Sequence, residues 1–382
     1  MVSSSTPSDR PAALGVVFLF SLALGIATVA VPLLALSAGY DAAAIGFLVA
    51  TSAASQLAIR LMLPRLLGRY ADRSLIALAS AAMVAGLVLL IASTSLAVFL
   101  AAQVCQGAAR AIFWTSSQTH AVRSGGSPVR RLVDLNLAGN VGTLTGPALG
   151  GALAAVGLPL ALAAAAVAAA ASSVGAILLQ RLPPYDRRDS IGTVALLRRQ
   201  DVGVACWANV VGGTWWSMIG SYVPVILVGA GLGPGPIGLL VSASEGAGTA
   251  AILALRRLPA RWLRPTVVGT ALGALTALAA IALVPPAPAT YAVLLLLGGA
   301  TGGSTTTLAP ALISIAAAEQ EQGDALSMSG AFRAASLLVS PAAVGVLLGV
   351  VALPAAIVGV SAVLGAAGLA IGRMAGGRPT LG

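Results

Sequence analysis

Ile45–Arg69, IGFLVATSAASQLAIRLMLPRLLGR, and Ile237–Arg261, IGLLVSASEGAGTAAILALRRLPAR, are two copies of one pattern. Offset by 192 positions, they agree at 11 of 25 residues, including Ile45/Ile237, Gly46/Gly238, Ser52/Ser244, Arg65/Arg257 and Arg69/Arg261. Apolar helices share Leu and Ala by chance, but arginines that coincide near the end of both runs point to an internal repeat. Further on, Gly146-Pro147 aligns roughly with Ser340-Pro341.

Each copy is long enough to cross a hydrocarbon core, which takes about 20 apolar residues. Cutting the chain at charge clusters and Pro/Gly turns gives twelve such runs. They cover approximately residues 12–36, 45–67, 74–93, 96–119, 132–156 and 158–180, then 203–228, 237–255, 266–284, 291–317, 325–350 and 352–371. The first run exceeds the roughly 7–15 apolar residues of a secretory signal, so it reads as a span. Composition agrees: of 382 residues 58% are hydrophobic and 8% charged, against about a quarter charged in soluble domains. Mean hydropathy is +0.98.

All 21 basic residues are Arg, and the net charge is +10. A nucleic-acid partner would need them gathered on one exposed face, whereas here they are spread over short loops, so none is expected. Arg is retained in cytoplasmic loops, and 18 of the 21 fall in the tails or in alternate loops. Both termini are therefore expected in the cytoplasm. The Arg, Ala and Gly bias is that of a GC-rich bacterial genome, which places the chain in a bacterial inner membrane. Cys105 and Cys206 lie inside apolar runs and read as small buried hydrophobes, with no disulfide or metal site.

The longest polar stretch, residues 181–202, carries Arg181, Asp186, Arg187, Arg188, Asp189, Arg198, Arg199 and Asp201. It divides a first six-helix bundle, residues 1–180, from a second, residues 203–382, and Ile191–Leu197 is expected to lie on the membrane surface as a short amphipathic helix. The expected fold is an all-α membrane protein of twelve spans in two pseudo-symmetric bundles. Duplications of this kind place a substrate site between the halves near the midplane.

Three motifs sharpen this reading. The fifth run contains Gly142-Thr-Leu-Thr-Gly146-Pro147-Ala-Leu-Gly150-Gly151, whose glycines, with Gly139, recur every three or four residues and so form one stripe. The loop after the second run reads Gly68-Arg-Tyr-Ala-Asp72-Arg73, and the fourth run contains Gln103-Val-Cys-Gln106-Gly107. On these motifs the chain resembles the major facilitator superfamily, and in the fifth run its drug:proton antiporters. The resemblance implies that the glycine motif and the G-x-x-x-D-R loop serve conformational change. It also implies that R-x-x-Q-G supplies a proton-coupling Arg. In this chain Gln103 holds that Arg's place, and Leu75-Ile76-Ala77 replaces the basic residues that usually follow the loop motif. Arg110, two turns on and on nearly the same face, is expected to take over part of the role; the alternative is that proton coupling is lost altogether.

Ionisable groups inside a span cost roughly 2.5–3.5 kcal/mol even on lenient scales, and five remain: Arg60, Arg110, Arg333, Asp134 and Glu245. Glu245 lies about 12 Å into its run. Burial favours the neutral acid and a nearby guanidinium the carboxylate, so Glu245 is the expected coupling carboxylate; the alternative is a structural ion pair with Arg110 or Arg333. Asp134 is expected to pair at the interface beside Arg130 and Arg131, Arg60 and Arg333 to snorkel, and His120 to be interfacial. Asn136, Asn140, Asn209, Trp215, Trp216 and Tyr222 would line a cavity, with Trp215 and Trp216 alternatively anchoring the interface.

The expected function is export of a small hydrophobic or amphipathic molecule by alternating access, as a monomer exchanging it for protons without a cofactor. Alternatives are an organic-anion or nutrient carrier working by uptake or uniport, and a non-transporting sensor. One His, no H-E-x-x-H, no G-x-S-x-G and no P-loop argue against an enzyme.

Overall fold

A computed structural model describes residues 9–124, 127–184, 199–317 and 321–373. Its helices are α1 (Arg10–Ser37), α2 (Ala42–Arg69), α3 (Asp72–Ala92), α4 (Leu96–Arg123), α5 (Pro128–Val156), α6 (Leu158–Gly175), α7 (Gln200–Ile219), α8 (Tyr222–Gly229), α9 (Pro234–Leu255), α10 (Ala260–Leu283), α11 (Pro288–Ala316), α12 (Gln322–Leu347) and α13 (Leu353–Arg373). No strand occurs among the described residues. The expected surface helix at Ile191–Leu197, with Asp186, Arg187, Arg188, Asp189 and Arg198, lies outside them.

Ten helices are long and apolar enough to cross a membrane, and α7 with α8 makes an eleventh span bent by 44°. The bend falls at Gly220-Ser221, where the helical ladder is interrupted. The remaining long helix, α5, has 29 residues, ample for a crossing, but Arg130, Arg131, Asp134, Asn136 and Asn140 dilute its apolar content.

The repeat is visible in the turns. After α1, the Tyr40 and Gly39 amides donate to the Ala35 and Leu36 carbonyls at 3.0 Å; after α8, the Leu232 and Gly231 amides donate to the Leu227 and Val228 carbonyls at 3.0 and 2.9 Å. Gly39 has φ 86° and Gly231 φ 81°, the left-handed conformation that ends a helix in this bonding pattern. Every residue of the second turn lies 192 positions after its counterpart.

The chain forms two compact units: α1 up to Leu34 with Ala54 through α6, and Ala35–Ala53 with α7–α13. In the first, α5 lies directly on α1. A Cβ at Gly142 would meet the Phe18 carbonyl at 2.6 Å, one at Gly146 the Gly25 Cα at 2.7 Å, and one at Gly150 the Ile26 carbonyl at 2.9 Å. Lipid gives helices no hydrophobic reason to associate, so close backbone approach through small residues supplies the attraction. Ser172 of α6, bonded to Ser80 of α3 at 3.1 Å and to the Val16 carbonyl of α1 at 2.9 Å, ties three helices together.

The second unit repeats the device between α9 and α11, where a Cβ at Gly248 would meet the Gly299 carbonyl at 2.9 Å. Thr214 of α7 bonds Ser340 of α12 at 2.7 Å. Fully buried Tyr222, at the start of α8, donates to the Pro341 carbonyl of α12 at 2.9 Å. Its hydroxyl occupies the space that a Cβ at Gly46 of α2 would need, which is how the first turns of α2 join this unit.

Candidate functional site

Two groups of polar and charged residues stand out in the first unit. The first is a cluster where the Arg-rich ends of α1, α3, α4 and α5 meet the segment after α6. Asp72, 0% exposed, opens α3 and takes two hydrogen bonds from Arg123 at the end of α4, at 3.0 and 3.2 Å. Its partner is therefore not an arginine of its own loop motif: Arg73 turns instead to the Leu179 carbonyl at 3.5 Å. Arg123 also donates to the Pro183 carbonyl at 2.5 Å. His120, one turn back on α4, is 1% exposed. Its Nε2 is hydrogen-bonded to Asp9 at 2.9 Å, and its Nδ1 lies 3.9 Å from Asp72. Asp9 in turn accepts from the Gln180 amide at 2.9 Å and faces Arg131 at 3.8 Å. Asp134, expected beside Arg130 and Arg131, pairs with Arg10 of α1 at 2.5 Å.

The second group lies along the middle of α4. Gln103, Arg110 and Ser117 recur every seven residues, so they stay on one line with about 20° of drift per step. Gln103 and Ser117 are buried and Arg110 half-buried. Among the described residues Arg110 makes no hydrogen bond and no ion pair, its Nε is buried, and the hydroxyl of Ser117 and the amide nitrogen of Gln106 are buried without partners as well. Beside this line, Phe113 stacks on Phe20 of α1 with centroids 3.6 Å apart. Trp114 covers Gly139 of α5, its ring 2.7 Å from where a Cβ would stand. Asn136 and Asn140 are exposed on α5, and Arg60 is half-buried on α2.

In the second unit Glu245 occupies the middle of α9, half-buried. Arg333 of α12 acts on it electrostatically, and among the described residues no hydrogen bond satisfies its carboxylate. Among the described residues the neighbouring Ser244 hydroxyl is buried and unbonded, as is the indole N–H of half-buried Trp216. The stem of Arg333 packs over Gly213 of α7, 3.3 Å from where a Cβ would be. Asn209 and Trp215 are committed to packing instead. Asn209 bonds Ser329 of α12 and the Ala205 carbonyl, while Trp215, 3% exposed, lies across Gly298 and Gly302 of α11. At the rim, Arg199 pairs with Glu321 at 2.7 Å and Arg264 with Asp201 at 3.5 Å.

Sequence reading did not anticipate the Asp9–His120–Asp72–Arg123 cluster. The available signal was His120 and Arg123 three apart on α4, hence on one face. Its acids come from elements far away in sequence.

Residues 13–341 match the sequence profile of the Major Facilitator Superfamily. No curated protein sequence matches the chain. Solved structures share the fold at low identity. The nucleoside transporter NupG aligns with TM-score 0.72 and 15% identity over 95% of this chain and 99% of its own. A POT family transporter in complex with a thioalcohol-conjugated peptide gives 0.75 and 10% over 98% and 97%. A bacterial homolog of the human lysosomal transporter Spinster gives 0.73 and 13% over 97% and 98%.

Proposed function

The chain belongs to the Major Facilitator Superfamily, as a multi-pass membrane transporter and not an enzyme, and from that premise we propose that it exports a small hydrophobic or amphipathic molecule by alternating access in exchange for protons. The observation that carries the coupling half of this reading is Glu245. A carboxylate at the middle of a span, partly accessible and without a hydrogen bond from the described residues, is a costly group of the kind a span retains for function. Arg333 of α12 acts on it electrostatically, and a carboxylate so placed can bind a proton from one side of the membrane and release it to the other.

The direction of export is motivated by the glycine-proline motif of α5, which is similar to that of antiporters. The spread of Arg over the tails and alternate loops supports a cytoplasmic side for the Arg-rich ends and both termini, in a bacterial inner membrane. The reading takes the monomer as the working form.

The test is flux of a fluorescent amphiphile in proteoliposomes of the full chain, with and without an imposed pH gradient. The gradient is expected to drive the wild type, while Glu245→Gln carries the amphiphile only down its own gradient. Undiminished pH-driven flux in Glu245→Gln removes Glu245 from the mechanism.

A further inference from the structure

Arg110 poses a problem that the transporter reading leaves open. Guanidinium is protonated under all conditions relevant to a protein, and a cation in the middle of a span is retained only where something uses it. Snorkelling is out of reach: Arg110 stands near the centre of a 28-residue helix, about 20 Å from either end, several times the length of its side chain. Among the described residues, pairing within its own unit is also closed. The acids among that unit's described residues are Asp9, Asp72 and Asp134, and all three are engaged at the helix ends, by His120, Arg123 and Arg10. The unpartnered amide nitrogen of Gln106 and hydroxyl of Ser117, within about 40° of Arg110 around the helix, show the same pattern. These groups are donors that the fold buries without acceptors among the described residues.

From this we infer that α4 carries a recognition site for the carboxylate of an organic acid, anchored by Arg110. The inference rests on the transporter reading and names its substrate class. The fork of a guanidinium matches the two oxygens of a carboxylate, and the neutral donors along the same line hydrogen-bond the rest of the molecule. Trp114, one turn on and half-buried, supplies aromatic surface for its body. That combination selects an amphipathic acid over a small inorganic anion.

The experiment uses matched pairs differing only in charge, benzoate against benzamide and 1-naphthoate against 1-naphthamide, at constant ionic strength. Each is added to the detergent-purified full chain, and Tm is followed by tryptophan fluorescence. The acid of each pair is expected to raise Tm and its amide not to. Naphthoate acts at lower concentration than benzoate. Arg110→Gln abolishes the acid-dependent shift while the free variant melts no lower than wild type, and Arg110→Lys needs at least tenfold more acid. Amides that match their acids overturn the inference, as does an unchanged acid response in Arg110→Gln. An Arg110→Gln variant that cannot fold also overturns it, because Arg110 would then be holding the structure. Flux separates the two readings: acid binding without flux leaves this site and removes transport, whereas pH-driven flux with no preference for acids leaves transport and removes this site.

Discussion

Two regions of α4 handle charge in opposite ways. At its Arg-rich end, His120 and Arg123 meet Asp9 and Asp72, and the four groups form a buried cluster linked to Arg131 and to the carbonyl of Pro183. At its middle, Arg110 has no partner among the described residues. The difference follows from what each region can recruit. Near a helix end, the first turns of neighbouring helices and the connecting segments can place carboxylates and free backbone groups, and water shares part of the desolvation cost. In mid-span every neighbour is a helix whose backbone groups are already bonded, so a partner must be another costly side chain. Charge at the ends can therefore serve the fold, and unpaired charge in the middle serves what passes through.

The harshest test of this contrast is Asp72→Asn. Removing one member of a buried charge cluster leaves its partners uncompensated, and the expected loss is about 3 kcal/mol or more, read as a large drop in Tm and in folded yield. A variant as stable as wild type would show that the cluster contributes no more than solvated surface charges do, and the contrast with Arg110 would disappear.

A smaller effect of opposite sign is expected at the middle. Arg110→Leu exchanges an unpaired cation for an apolar side chain, which relieves an insertion cost of up to roughly 2.5–3.5 kcal/mol. The low end applies because Arg110 is half-buried. Thermal unfolding at or slightly above the wild-type Tm, together with loss of the acid response, is the expected pair of results. A clear fall in Tm would give Arg110 a structural partner and break the comparison from the other side.

The legible parts of this molecule are those in which spacing along the chain encodes a face or a copy. Gly142, Gly146 and Gly150 recur every four residues, which fixes one side of α5, and α1 lies on that side. The 192-residue offset, read from Ile45–Arg69, extends back to the turns at Gly39 and Gly231. Parts that depend on which helix lies opposite were not legible. Asp9 belongs to a polar tail without periodicity, yet it bonds His120 across 111 positions. Asp134 has Arg130 and Arg131 as sequence neighbours, but its partner Arg10 is 124 positions away. Trp215 and Trp216 are identical in type and adjacent, and the glycines of α11 decide that the first is packed; the indole N–H of the second has no partner among the described residues. Mid-span charges such as Glu245 and Arg110 could be singled out, because their cost is local, while their partners could not.

The smallest effect is expected at the rim, where the contrast between end and middle is sharpened by a pair that is close in distance yet open to water. Arg10 and Asp134 approach to 2.5 Å, closer than Arg123 and Asp72, but their side chains are 46% and 23% exposed, against 20% and 0% for the buried pair. Exposed ion pairs contribute about 0–1 kcal/mol, because water stabilises the separated charges nearly as well and ordering two side chains costs entropy. Asp134→Asn should therefore shift Tm little at low salt and still less at high salt, where screening weakens what remains. A loss comparable to that of Asp72→Asn would mean that distance, and not burial, ranks these interactions. The reasoning that sets Arg110 apart by its desolvation would then fail at its first step.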